Sequence, residues 1–129
     1  GLGDMAIATT IDLENQLTTF KAEGDLFLDE IREAITAYYQ GSVTRLVLWD
    51  LREASLQNLS SQDVQSLAKF LEKHGAIRQG GLTALVASED AEFGMLRMGG
   101  AYADKAPFSV GVFRSLDKAR EWLMNNPDE

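Results

Sequence analysis

The sequence predicts a single-domain α/β fold with a mixed, mostly parallel sheet. Apolar runs typical of strands alternate with amphipathic helical patterns along the chain. Two strand patterns around a short polar turn open the chain and add an antiparallel edge hairpin. The expected order is β-β-α-β-α-β-α-β-α. We expect one domain over residues 5–126 and interpret residues 1–4 as an expression-tag remnant.

The hairpin is predicted on either side of the polar turn Leu13–Asn15. Residues 5–12 alternate loosely between apolar and polar side chains, and Gln16–Ala22 alternate more regularly. Gly24 and Asp25 are expected to stop the second strand, and the Asp25 side chain is expected to cap the helix that follows.

The first helix is predicted to run to about Gln40 and to end at Gly41. Its buried face is expected to consist of Phe27, Ile31, Ala34, Ile35 and Tyr38. Its acidic residues are expected to be solvated.

The stretch Val43–Leu51 is nearly continuous in apolar residues, which predicts a central strand covered on both faces and closed by Asp50. The next helix is predicted over Ser60–His74, because its apolar residues recur at helical spacing. Ser60 with Asp63 three residues later indicates a capping box.

The remaining elements are two strands, each followed by a helix. Leu82–Ala87 is a short apolar strand after a loop at residues 78–81, and Ser88 is expected to cap a helix from Glu89 to about Ala103. That helix should be weak, since it contains three glycines. Phe108–Phe113 is the last strand, and Ser115 caps a final helix that ends before Pro127.

Composition argues against several classes of function. The net charge of -8 and pI of about 4.6 disfavour nucleic acid and anionic lipid surfaces. The chain has no cysteine and one histidine, so we expect no disulfide, no thiolate nucleophile and no cysteine or multi-histidine metal site. We also expect no bound metal and no cofactor. No apolar segment is long enough for a transmembrane span, and a cytoplasmic location is expected.

The element order, the string VLWDL at residues 47–51 and the closing VFRSLDKAREWL at residues 112–123 resemble the SpoIIAA-like proteins of the STAS superfamily. The resemblance covers Ile7 to Leu123. It implies a STAS-like fold, which is also likened to the Sec14-type lipid-binding domain. A fold of this kind hosts many roles, so the site must decide the function.

In the partner-switching members of that superfamily, an Asp-Ser-Ser-Gly-like string precedes the second helix and one serine is phosphorylated by a partner kinase. The matching stretch here is residues 58–62, with Asn58 in the acidic position, Leu59 in place of the first serine and no glycine. The resemblance implies phosphorylation at Ser60 or Ser61. The alternative is that Ser60 only caps the helix.

Two further places carry candidate site residues. Asp50, Arg52 and Glu53 are expected in the loop at the end of a central strand, where open α/β sheets usually bind ligands. The alternative is a turn in which Asp50 caps local amides and Arg52 pairs with Glu53 or another surface acid. His74, in the last turn of its helix, is interpreted as a surface or capping residue. The pair Gly80-Gly81 is interpreted as a turn.

The segment around residues 89–103 has the most suggestive composition. Its candidate binding residues are Phe93, Met95, Leu96, Arg97, Met98 and Tyr102. They could form ordinary core, or a mobile wall over an apolar pocket or a self-association face. Arg97 and Tyr102 would then supply polar contacts, and Arg97 could bind a carboxylate or phosphate.

Three functional hypotheses follow. The preferred one is a non-catalytic binding or regulatory module that binds an apolar or amphiphilic small molecule, or docks a regulatory protein, through residues 89–103. The second is an antagonist of anti-sigma factors that is switched at Ser60 or Ser61. The third is an enzyme with Asp50 as a base, ranked last because no nucleophile with an adjacent base is evident. A homodimer is a further hypothesis.

Overall fold

The computed structural model describes residues 6–125, which form a five-stranded sheet and four α-helices. The strands are β1 (Ile7–Asp12), β2 (Leu17–Asp25), β3 (Leu46–Ser55), β4 (Leu82–Val86) and β5 (Ser109–Phe113). The helices are α1 (Leu28–Gln40), α2 (Ser61–His74), α3 (Asp90–Tyr102) and α4 (Leu116–Met124). A 3-10 turn, Gly75–Arg78, follows α2. The predicted α/β class and element order are confirmed, and the expected tag remnant lies outside the described residues.

The strands lie in the sheet in the order in which they occur along the chain. β1 pairs antiparallel with β2, and all other pairs are parallel. Because parallel crossovers are right-handed, connections that step in one direction across a sheet place their helices on the same face. α1, α2 and α3 accordingly lie together on one face, and α4 lies on the other. The strand order never reverses, so the sheet has no topological switch point.

β3 separates two hydrophobic cores of unequal size. Its residues Val47, Trp49 and Leu51 belong to the larger core beneath the three helices, where Trp49 stacks on Phe20 at 4.3 Å between ring centroids. Leu46 and Leu48 belong to the smaller core beneath α4. The prediction that this strand is central and covered on both faces is therefore confirmed.

The predicted ends of β2 and β3 were wrong. Both strands continue further, and they stay paired as far as Asp25 opposite Ser55, after a register shift between Lys21 and Glu23. Asp50 therefore does not close β3, and Gly24 lies inside β2 with φ of +74°. Strand pairing extends the ladder through residues whose local pattern is polar.

The helix caps were predicted with mixed success. The capping box of α2 and the Ser115 cap of α4 are confirmed. Asp25 does not cap α1, which begins at Leu28 with the Phe27 amide donating to the Glu30 carboxylate at 3.1 Å.

Two further details of the helix starts also differ from the predictions. Ser88 is not the N-cap of α3, because Glu89 occupies that position. Phe27 precedes the first turn of α1 and is 52% exposed, so it does not join the predicted buried face.

Buried hydroxyl groups join the first strands and α1 at the amino end of the parallel strands. The Thr44 hydroxyl donates to the Leu46 carbonyl at 2.8 Å, so the Thr18 hydroxyl, 2.8 Å away, must donate to Thr44. The Tyr38 hydroxyl donates to the Thr44 carbonyl and accepts from its amide at 3.1 Å. Thr44 is thus the centre of a buried polar network.

Thr44→Val should lower the free energy of unfolding by about 1 to 3 kcal/mol, because the Thr18 hydroxyl and the Leu46 carbonyl each lose a buried partner. Urea unfolding measures the change. Thr10→Val, at an exposed position of β1, is the control and should stay within about 0.5 kcal/mol of the wild type. Equal effects of the two changes would contradict the network.

Candidate ligand-binding cavity

A cavity of about 140 Å³ lies between the sheet and the three helices on its larger-core face. Its floor is formed by strand side chains, mainly Phe20, Val47, Trp49, Thr83, Leu85 and Val110. Its roof is formed by helix residues that include Ile31, Ile35, Val64, Ala68, Met95 and Leu96. Nearly all of these side chains are aliphatic or aromatic, so the space suits an apolar ligand.

α3 covers part of the cavity with small and flexible residues. Met95, Leu96, Gly99 and Ala103 line it. A Cβ atom at Gly99 would come within 3.2 Å of Val64, so the glycine lets α3 lie close to α2. The glycines that predict a weak helix therefore include one that a close helix contact requires.

The structure divides the residues predicted to bind a ligand on α3. Met95 and Leu96 line the cavity, whereas Phe93, Arg97, Met98 and Tyr102 do not. Arg97 is exposed and Tyr102 is 39% exposed, so neither supplies the expected polar contact inside the cavity. A partner-docking role for the outer face of α3, like self-association, stays a prediction.

The Phe93 ring lies against the side chain of Arg114, the residue that directly follows β5. The Arg114 guanidinium stacks over it at 4.2 Å from the ring centroid, and the same guanidinium forms an ion pair with Asp90 at 2.7 Å. These contacts tie the start of α3 to the segment that follows β5.

The cation that does line the cavity is Arg78, which the sequence placed in a loop. It is 5% exposed and ends the 3-10 turn after α2. Its Nη1 donates to the Thr83 hydroxyl at 2.7 Å. Its Nη2 donates to the carbonyls of Arg45 and Leu82, both at 2.9 Å, and its Nε donates to the Thr44 carbonyl at 3.4 Å.

Aromatic rings provide the rest of the surroundings of Arg78. The guanidinium carbon lies 4.5 Å from the Phe108 ring centroid and 5.8 Å from that of Tyr38. Burial lowers the pKa of Arg78 from its ordinary value, yet an arginine side chain stays protonated in proteins. Within residues 6–125 no carboxylate forms an ion pair with it. The positive charge is held by neutral acceptors and ring faces.

The cavity runs along the strand direction and its two ends differ in polarity. Thr83, the second residue of β4, lies with Arg78 at the amino end of the parallel strands. Leu26 and Leu56, which follow the carboxyl ends of β2 and β3, belong to the other end. One end is therefore cationic and hydrogen bonding, and the other is wholly apolar.

Asp50 and Arg52 lie within β3 and not in a loop after it. Asp50 pairs with Val86 of the smaller core in the sheet, so it faces away from the cavity. Arg52 donates to both Asp50 carboxylate oxygens, at 2.8 and 2.9 Å. Glu53 pairs instead with Lys21 at 2.9 Å. The expected pairing of Arg52 with Glu53 or another surface acid is wrong, because its partner Asp50 is buried. Asp50 does accept a hydrogen bond from one local amide, that of Arg52, at 3.3 Å.

The Ser60 hydroxyl accepts from the Asp63 amide at 3.0 Å, and the Asp63 carboxylate accepts from the Ser60 amide at 3.0 Å. The capping role of Ser60 is thus present in the structure. Ser60 and Ser61 are both exposed, and phosphorylation at either residue stays a prediction.

His74 and the Gly80-Gly81 pair have ordinary structural roles. His74 is exposed, with its ring 4.7 Å from that of Phe70. Gly80 has φ of +80° and its amide donates to the Pro107 carbonyl at 3.0 Å, as expected for a turn.

No protein-family model matches this chain, and a search of curated proteins found no match. The resemblance to SpoIIAA-like proteins therefore stays an expectation beyond the shared α/β class. Among residues 6–125, no helix combines the length and the apolar character that crossing a membrane requires.

Asp50→Asn should change the acid dependence of stability. Hydrogen bonds from the Arg52 side chain lower the pKa of Asp50 below its ordinary value of 3.8, so the ionised carboxylate stabilises the folded state above that pH. This contribution is lost as the pH falls through the folded-state pKa. Unfolding measured from about pH 6 to about pH 2 should show the stability difference between wild type and variant shrinking at the acid end. A constant difference would count against it.

Ser60→Ala should lower the free energy of unfolding by about 1 kcal/mol, because the Asp63 amide loses its acceptor. Ser61→Ala is the matched control and should change it by less than about 0.5 kcal/mol. Chemical denaturation of both variants measures this, and equal losses would show that the hydroxyl of Ser60 is not the cap that matters.

Proposed function

We propose that this protein is a non-catalytic binding module that takes a small apolar molecule into the cavity beneath α1, α2 and α3. The single observation that carries the proposal is the apolar space of about 140 Å³ between the sheet and these helices. Native cores have few voids larger than a water molecule. An apolar cavity of about 150 Å³ is large enough to bind benzene. The cavity thus fits a ligand of about the size of one aromatic ring.

The polar residues of the lining support binding over catalysis. They are Tyr38, Tyr39, Arg78 and Thr83, and none of them is a carboxylate, a histidine or a cysteine. Burial raises the pKa of Tyr39, so its hydroxyl stays protonated near neutral pH and does not act as a base there. A nucleophile paired with a base is the usual requirement for covalent catalysis. The four groups are suited to orienting a ligand.

The few buried contacts of α3 in the roof of the cavity would let a ligand enter without unfolding of the whole domain. Leu96 is the only residue of α3 that is buried, and the helix starts and ends without a side-chain cap. A helix with few buried contacts opens locally at low free-energy cost. α3 is therefore the element that we expect to move when a ligand enters.

Ala68→Leu tests the proposal by filling the cavity. Toluene, titrated into the wild type and followed by methyl NMR, should shift the signals of Met95 and Leu96. In the variant the affinity for toluene should fall by about tenfold or more, because the larger leucine side chain occupies the ligand's space. The variant should keep its thermal stability, since a filled cavity gains packing contacts.

Ala37→Leu is the matched control, because Ala37 is an exposed alanine within α1. It should bind toluene like the wild type. Wild-type protein that shows no saturable methyl shift would contradict the proposal, and so would equal affinity in the wild type and Ala68→Leu.

A further inference from the structure

We infer that the molecule bound in the cavity carries a carboxylate, held by the Arg78 guanidinium and the Thr83 hydroxyl at the amino end of the parallel strands. The inference rests on the proposed function and specifies the chemical class of its ligand. The ligand would be a small monocarboxylic acid with an aromatic or short aliphatic body.

The Arg78 guanidinium has one N–H group more than it has acceptors within the described residues. A guanidinium has five N–H groups. Four of those of Arg78 have acceptors: the carbonyls of Thr44, Arg45 and Leu82 and the Thr83 hydroxyl. The second N–H on Nη1 has no acceptor among residues 6–125. This nitrogen lies 2.7 Å from the Thr83 oxygen, and both side chains line the cavity.

The Thr83 hydroxyl is a second donor beside Arg78. Its oxygen accepts from Arg78, and within the described residues its own hydroxyl proton has no acceptor. Thr83 is buried. A buried donor left without a partner costs free energy. Thr83 and Arg78 together therefore offer two adjacent donors that a carboxylate could satisfy.

The positive charge of the buried Arg78 guanidinium also favours a carboxylate. The acceptors around Arg78 are neutral, and burial already lowers its pKa. A buried charge without a counter-ion is costly, and a carboxylate is the natural partner of a guanidinium. A neutral apolar ligand would leave both the charge and the two donors as they are.

The part of the cavity beyond Arg78 and Thr83 has room for the body of a small acid. Beyond Arg78 and Thr83 the cavity continues along the sheet towards Leu26 and Leu56, over an apolar floor. This arrangement fits an acid whose carboxylate faces Arg78 and whose body lies beneath α3. The volume of about 140 Å³ favours a compact acid over a long-chain fatty acid.

The test compares three probes of one size in the wild-type protein: benzoate, its neutral isostere nitrobenzene, and toluene. Affinities are measured by NMR titration near neutral pH. Benzoate should bind about tenfold or more tightly than nitrobenzene, because its charge is paired with Arg78. It alone should shift the Arg78 Nε–H signal strongly.

The outcomes separate this inference from the proposed function. If toluene binds and benzoate binds no more tightly than nitrobenzene, the carboxylate inference is overturned and the apolar binding module stands. If none of the three probes binds, both fail.

Thr83→Val provides a second test that does not require a change at Arg78, whose substitution could unfold the chain. It should weaken benzoate binding about fivefold or more relative to toluene binding in the same variant, because valine keeps the shape and removes the hydroxyl donor. Thr19→Val is the control, since Thr19 lies beside Leu48 on the opposite face of the sheet. Equal weakening of benzoate and toluene in Thr83→Val would overturn the role of its hydroxyl.

Discussion

The buried guanidinium of Arg78 is the interaction on which the arrangement of this molecule depends. Its donors hold carbonyl groups from the segment before β3 and from the start of β4, and its plane packs on Phe108 ahead of β5. It therefore fixes the amino ends of three neighbouring strands from the turn that follows α2. Charge-assisted hydrogen bonds of this kind are stronger than neutral ones, which helps to offset the cost of burying the charge.

The topology explains why a cavity forms on this face of the sheet. Strands added in one direction place three helices on the same face, and those helices must bridge the full width of a twisted sheet. α2 and α3 approach closely at Gly99 and Val64. α1 and α2 are linked by the Arg32 guanidinium, which donates to Ser66 and stacks on Phe70. Between these contacts the roof leaves space above Trp49 and Leu85.

Because the strand order does not reverse, this sheet has no topological switch point, the place where ligands of open α/β folds usually bind. The expectation that Asp50 and Arg52 form a ligand site depended on that general rule. Here the two residues form an ion pair on a strand. The polar end of the cavity is instead at the amino edge.

The sequence carried enough information to predict the class, the element order and the central strand. Hydrophobic periodicity is local, and it is strong in the stretches that became β3 and α2. The composition of α3, which is rich in glycine and methionine, also points to Met95 and Leu96 as binding residues. The strand ends were missed because pairing between β2 and β3 extends through polar residues.

Arg78 was missed for a different physical reason. Two of its acceptors are carbonyl groups more than thirty residues earlier in the chain, and the other two, the Leu82 carbonyl and the Thr83 hydroxyl, belong to the next strand. No local pattern records such contacts, and a charged residue before Gly80 and Gly81 has the composition of an exposed turn. The one available signal was the short spacing between Arg78 and the buried Thr83, which places both at the entry of β4.

The central claim is that an apolar space, ending at a guanidinium with no counter-ion among residues 6–125, exists in the folded protein and can be occupied. A crystal structure determined under xenon pressure tests it most directly, since xenon enters apolar cavities of this size. We predict xenon density between Trp49 of the sheet and Leu96 of α3, with the Arg78 hydrogen bonds unchanged. A structure in which α3 has collapsed onto the sheet and no xenon binds there would contradict the claim.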